Sequence, residues 1–187
     1  VAHIDRYKKG FFYSVEFIGE NSWNGYEYNC LFANTGDGDQ FIEIARPTGA
    51  DEVKDSRGVA IADFDGDGRL DMAINNQTNV PTLYFNELGK DGNWVALKLV
   101  GSQSNRSAVG ARVRLRAGDK TMTRQVEAGS GFSSQAMLPV HFGLGQNRAI
   151  DEVEITWPSG QVQNYNRDEW AAAFGINQLV RIVEEAR

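Results

Sequence analysis

The sequence predicts an all-β protein in two parts, the second a β-sandwich or barrel of about seven strands. Three observations carry this. Short runs of alternating apolar and polar residues recur along the chain, broken by clusters of Gly, Asn and Asp. Glycine is frequent, at 20 residues, while proline is scarce, at 4, so turns rely on backbone freedom. From residue 94 onward the alternation has a clean period of two.

In the first half the candidate strands are FFYSVEFI (11–18), YEYNCLFAN (26–34), FIEIA (41–45), GVAIADF (58–64), LDMAINNQ (70–77) and TLYFNEL (82–88). In the second they are WVALKLVG (94–101), VGARVRLRA (109–117), TMTRQVEAG (121–129), LPVHFGLG (138–145), DEVEITWP (151–158), QVQNY (161–165) and QLVRIVEE (178–185). WVALKLVG puts Val95, Leu97 and Leu99 on one face. VGARVRLRA sends Val109, Ala111, Val113 and Leu115 inward and Arg112, Arg114 and Arg116 outward. One short helix is expected, in RDEWAAAFG (167–175). The polar stretch GKDGN divides the chain into residues 1–92 and 93–187.

Composition narrows the functional classes. The chain has 187 residues, 41% hydrophobic and 24% charged, and a formal net charge of −6. An acidic chain offers no global basic field for nucleic acid. No apolar run reaches the roughly 18 residues of a membrane-spanning helix. The single cysteine, Cys30, excludes an internal disulfide and a thiolate zinc site, and reads as a small buried hydrophobe. Two histidines, His3 and His141, leave little for histidine-based catalysis. VAHIDRYKKG has no starting Met and no apolar signal core, which fits a mature form or a fragment.

The stretch DFDGDGRLD (63–71) places Asp63, Asp65, Asp67 and Asp71 within nine residues. Four carboxylates this close repel one another unless a cation neutralises them. A hard cation such as calcium takes about six to eight oxygens, and alternate positions of a tight loop can turn inward together. This spacing predicts Asp63, Asp65 and Asp67 as side-chain ligands, Arg69 through its carbonyl, and Asp71 closing the shell. An EF-hand would need Glu at its twelfth position, where Ile74 stands. The expectation is therefore a strand–loop–strand calcium site, with a solvated acidic turn as the alternative.

Two stretches carry a family resemblance. GVAIADFDGDGRLDMAINNQ resembles an FG-GAP/VCBS-type repeat, the calcium-loop blade of integrin-like β-propellers, with YNCLFANTGDGDQFIEIA similar to the outer part of such a blade. NWVALKLVGSQSNRSAVGARVRL, EAGSGFSSQ, HFGLG and VEITWPSG, in that order, resemble an ASPIC/UnbV domain. The resemblance implies a partial propeller-type blade with a calcium loop, then the C-terminal β domain. It implies calcium at Asp63, Asp65, Asp67, Arg69 and Asp71, an extracytoplasmic location (secreted, cell-surface or periplasmic) and a role in adhesion or scaffolding. It brings no catalytic residues. A propeller takes about four to eight blades, and residues 1–92 supply one or two. The expectation is the end of a longer protein, or a subunit whose open edge is covered by its own second domain or a partner.

Other features have plainer readings. GSGFS within EAGSGFSSQ does not spell a nucleophile elbow and reads as a glycine-permitted turn. His141 reads as a packed strand residue. The stripe of Arg112, Arg114 and Arg116, with Lys120 and Arg124 on the next strand, is a solvated face or a grip for an anionic partner. Trp23, Tyr26 and Tyr28 are blade core, or a platform for sugar rings or a protein. Asn76-Gln77-Thr78 and Asn105-Arg106-Ser107 fit the glycosylation sequon. The sequence thus points to a non-catalytic, calcium-stabilised binding or scaffold module with a protein or carbohydrate partner. The alternatives are an accessory subunit of a surface filament or membrane complex and, behind it, a metal-dependent hydrolase.

Overall fold

The computed structural model describes residues 27–36, 40–77 and 79–186. The expected strand at 11–18, and Trp23 and Tyr26, lie outside the described residues. The protein is all-β, in several sheets, and among the described residues none closes on itself. It divides into two compact units, Val1–Gly58 with Ala73–Tyr84, and Val59–Met72 with Phe85–Arg187.

In the first unit β1 (Glu27–Tyr28) pairs with β4 (Val53–Lys54), and β2 (Phe32–Asn34) with β3 (Phe41–Glu43), both antiparallel. The expected strand at 26–34 is thus split at residues 29–31, and Cys30, expected inside, is exposed there. Residues 41–45 form a strand only to Glu43. A four-residue helix, α1 (Ala45–Thr48), follows and ends at Gly49 in the left-handed region, φ 75°. A three-stranded sheet is ordered β5 (Ser56–Ala62), β6 (Asp71–Asn76), β7 (Thr82–Tyr84), and the division between units falls within β5 and β6.

The second unit holds the main core. One sheet is ordered β10 (Lys120–Gln125), β9 (Arg112–Ala117), β12 (Glu152–Thr156), β13 (Val162–Asn166), all antiparallel. The other is ordered β11 (Val140–Gly145), β8 (Asn93–Val100), β14 (Leu179–Val183), with β14 parallel to β8. Period-two alternation explains both. Val113, Leu115 and Ala117 of β9 are fully buried while Arg112, Arg114 and Arg116 are exposed. Val95, Leu97 and Leu99 of β8 meet them in one apolar cluster with Phe142, Leu144, Val153, Ile155, Val180 and Ile182.

A helix, α2 (Arg167–Ala173), follows β13 directly. Asn166 caps it and Glu169 returns a bond to the Asn166 N–H, a reciprocal capping box. This buries Trp170, whose indole N–H donates to the Gly175 carbonyl at 3.1 Å. Tyr165 and Phe174 pack on it, Tyr165 edge-on at 5.9 Å.

One buried charge ties the sheet together. Glu184, just past β14, is 2% exposed. Its carboxylate accepts from the backbone N–H groups of Ser102, Gln103 and Ser104 at 2.7–2.9 Å, and from the hydroxyls of Ser104 and Ser159 at 2.9 and 2.6 Å. Burial alone would raise its pKa. The bonds from the Ser104 backbone, the two hydroxyls and the Gln103 backbone overcome this and hold it down at about 2. A carboxylate depressed in the folded state stabilises fully above its unfolded value of 4.5, and the benefit is lost as pH falls through about 2. Glu184→Gln is expected to cost at least about 2 kcal/mol in urea unfolding at pH 7. The gap between variant and wild type should shrink as pH falls from 4.5 towards 2, and a gap independent of pH would contradict this.

Candidate metal centre

The loop 63–71 joins β5 to β6 and lies wholly in the second unit. Its conformation follows from short side chains bonding their own backbone. Asp63 Oδ1 accepts from the N–H groups of Gly66 and Asp67, and Oδ2 from Gly68 at 2.9 Å. Gly66 and Gly68 take φ values of 80° and 88°, the left-handed region that lets the chain wrap one carboxylate. Asp71 is 1% exposed, and its two oxygens accept from the N–H groups of Phe64 and Asn86, each at 2.8 Å.

The structure brings three of the expected ligands together. One carboxylate oxygen each from Asp63, Asp65 and Asp71 lie within 4.8 Å of one another. Asp67 stands outside this group. Its carboxylate pairs with the Arg69 guanidinium and accepts from the Arg69 N–H at 2.8 Å. Arg69 also donates to the Asn86 carbonyl, so its side chain braces the segment that Asp71 holds from the other side. Three converging carboxylates are hard, anionic oxygen donors, the chemistry that calcium prefers.

A further partner of the loop was visible in the sequence only as a strand residue. His141 of β11 lies 2.8 Å through Nε2 from the Gly68 carbonyl. A carbonyl only accepts, so Nε2 carries the proton. The ring stacks on Trp94 of β8, centroids 5.6 Å apart and planes 12° from parallel. Burial holds the His141 pKa below its ordinary 6.5, and the Arg124 charge adds to this. The Gly68 carbonyl and the Asp63 charge oppose it. The signal that could have found this contact is alternation, which sets Trp94 and His141 on the face of their neighbouring strands opposite the core residues Val95 and Phe142.

Lys120 and Arg124 do not extend the arginine stripe. The register sets them opposite Ala117 and Val113, on the core-side face, and Arg124 lies 5.9 Å over the Phe142 ring. Thr121, Thr123 and Gln125 flank the stripe instead. Within the stripe Arg116 pairs with Asp151 and Glu152. Residues 127–135 form a loop with a bridge between Gly131 and Ser134. Tyr28 is exposed. In both sequons the asparagine amide is engaged: Asn76 is buried and donates to Val80 and Thr82, and Asn105 donates to Val109.

Gly68 generates a direct test. A Cβ there would overlap the Trp94 ring, at a φ that L residues avoid. Gly68→Ala is expected to lower stability by about 2–4 kcal/mol in chemical unfolding. Gly66→Ala, with the same sign of φ and open space around it, should cost about 1 kcal/mol. Equal losses would show that the loop does not rest on Trp94.

Comparison with known proteins agrees with the motifs. Residues 17–74 match the family model described as an FG-GAP-like repeat, and residues 101–186 match that described as ASPIC and UnbV. Cartilage acidic protein 1 of Homo sapiens is 31% identical over 151 residues, 78% of this chain and 22% of that protein. Cartilage acidic protein 1 of Xenopus tropicalis is 32% identical over 130 residues, 66% of this chain and 20% of that protein. The chain therefore spans about a fifth of the length of these relatives. Among the described residues no helix is long and apolar enough to cross a membrane. The chain carries an FG-GAP-like repeat followed by an ASPIC and UnbV domain, in the order its motifs led us to expect.

Proposed function

We propose that this chain is a non-catalytic binding or scaffold module of an extracytoplasmic protein, stabilised by calcium in the loop 63–71. The observation that carries this reading is the convergence of Asp63, Asp65 and Asp71. Calcium there would be held by these three carboxylates and the Arg69 carbonyl, with Asp67 joining on release from Arg69. The ion would neutralise carboxylates that otherwise repel, and so fix the link between β5 and β6. Extracellular calcium is abundant, and the relatives carry the name cartilage acidic protein 1. Both favour a location outside the cytosol.

At about 1 mM calcium, a site with a Kd of about 10⁻⁵ M would add about 2.7 kcal/mol of stability. For a chain of this size that is a rise of about 5–10 °C in melting temperature. Asp65 is the sharpest probe, because it is exposed and accepts only the Asp67 N–H, whereas Asp63 organises the loop. Asp65→Ala is expected to melt near the calcium-free wild type and to gain little from calcium. A wild type indifferent to calcium would leave the loop an acidic turn.

The second reading, a subunit of a larger assembly, is favoured by exposed apolar side chains between residues 28 and 88. Tyr28, Phe32, Phe41, Val80 and Leu88 are each more than half exposed. Side chains of this size gather at interfaces, and the sheets there are short and open-edged. Sedimentation is expected to show concentration-dependent association that Phe32→Ser and Phe41→Ser weaken. A monodisperse monomer at all concentrations would argue against it.

A further inference from the structure

A second charged feature lies on the outer face of the β11–β8–β14 sheet. Val180 and Ile182 of β14 point into the core, so Arg181 points out, and Lys98 of β8 does the same between Leu97 and Leu99. The parallel register sets Arg181 beside Lys98, on strands about 4.8 Å apart. Like charges at lateral positions of a sheet destabilise it. A third cation joins them from the loop after β8. Lys98, Arg106 and Arg181, with Ser107, line a cavity of about 240 Å³. Leu138 and Pro139 form its apolar wall.

The site is built, not draped. The Gly101 N–H donates to the Arg106 carbonyl at 3.2 Å, and both ends of the Asn105 amide bond the Val109 backbone at 2.9 Å. These bonds fix the backbone of the loop that carries Arg106. Ala108, next to Ser107, is fully buried and anchors the loop in the core. Among the described residues no carboxylate lines the cavity, and none of the three cations has an ion pair. In a chain of net charge −6, three cations gathered without a counter-charge are unusual.

We propose that this cavity binds a tetrahedral oxyanion, the sulfate or phosphate group of an ester whose organic body rests on Leu138 and Pro139. Two guanidinium forks, an ammonium and a hydroxyl supply convergent donors for such a group. The bound anion would cancel the Lys98–Arg181 repulsion, so binding and stability are linked. The site is separate from the aspartate loop, and its occupancy does not require calcium.

The test uses the whole chain, isotopically labelled, in calcium-free chloride buffer at pH 7 and constant ionic strength. Sodium sulfate and sodium phosphate are titrated separately and followed by amide chemical shifts. Saturable shifts are expected at residues 98–100, 106–107 and 181. Arg181→Gln and Lys98→Gln should each weaken binding about tenfold or more. Arg112→Gln and Arg114→Gln, on the other sheet, should leave it unchanged. Without oxyanion, Lys98→Gln should melt above wild type. Saturation by sulfate alone would assign a sulfate ester, by phosphate alone a phosphate ester, and by both a site that reads the shared tetrahedral shape. Shifts that never saturate, or that weaken equally in the Arg112 and Arg114 variants, would overturn the proposal and leave only general attraction to surface cations.

Discussion

The second unit turns on how one buried carboxylate is satisfied. Glu184 sits where β14 ends, and its own N–H bonds the Val100 carbonyl at 2.9 Å, continuing the parallel ladder. Its side chain gathers the three consecutive N–H groups of residues 102–104, which would otherwise be unpaired at a strand end. That bond set fixes where the chain leaves β8. The loop beyond must then bring Ala108 into the core and deliver Ala111 and Val113 to the facing sheet. Ser159, from the turn after β12, joins the same carboxylate, so both sheets are referred to one point. A charge buried this deeply is stable only because five donors surround it.

The aspartate loop is the opposite electrostatic case. Glu184 is saturated by donors and leaves nothing for an ion to do. In residues 63–71 the donors are spread over several carboxylates, and oxygens of Asp63, Asp65 and Asp71 still face one another. The loop has an external support as well. Trp94 fills the space against Gly68 and His141 holds its carbonyl, so side chains of β8 and β11 set part of the loop's shape. Residues 59–72 belong to the second compact unit, although the repeat motif to which they belong begins far earlier in the chain.

Legibility followed the range of the interactions. The buried faces of β8 and β9 could be read directly, because a two-residue period is a local property of the chain. So could the short helix α2, expected from the alanine-rich RDEWAAAFG (167–175), whereas its capping by Asn166 and Glu169 emerged only in the structure. Cys30 is exposed rather than buried because burial depends on partners, and the chain leaves the strand between β1 and β2 at that point. Lys120 and Arg124 lie on the face opposite the arginine stripe for a related reason. A two-residue turn fixes the register of β10 on β9, and a shift of one residue exchanges its faces.

The sequence by itself determined the strand class, the order of the two family motifs and the crowding of aspartates at 63–71. All of these rest on spacing within short segments. The tertiary structure alone decided which carboxylates converge. Asp63, Asp65 and Asp71 come together, while Asp67 is drawn to Arg69, because ion pairing is settled by distance in space. It also decided the parallel pairing of β14 with β8, more than seventy residues apart in sequence. That pairing sets Arg181 beside Lys98. Neither residue carries a signal in its own segment, since each is simply the outward position of an alternating strand.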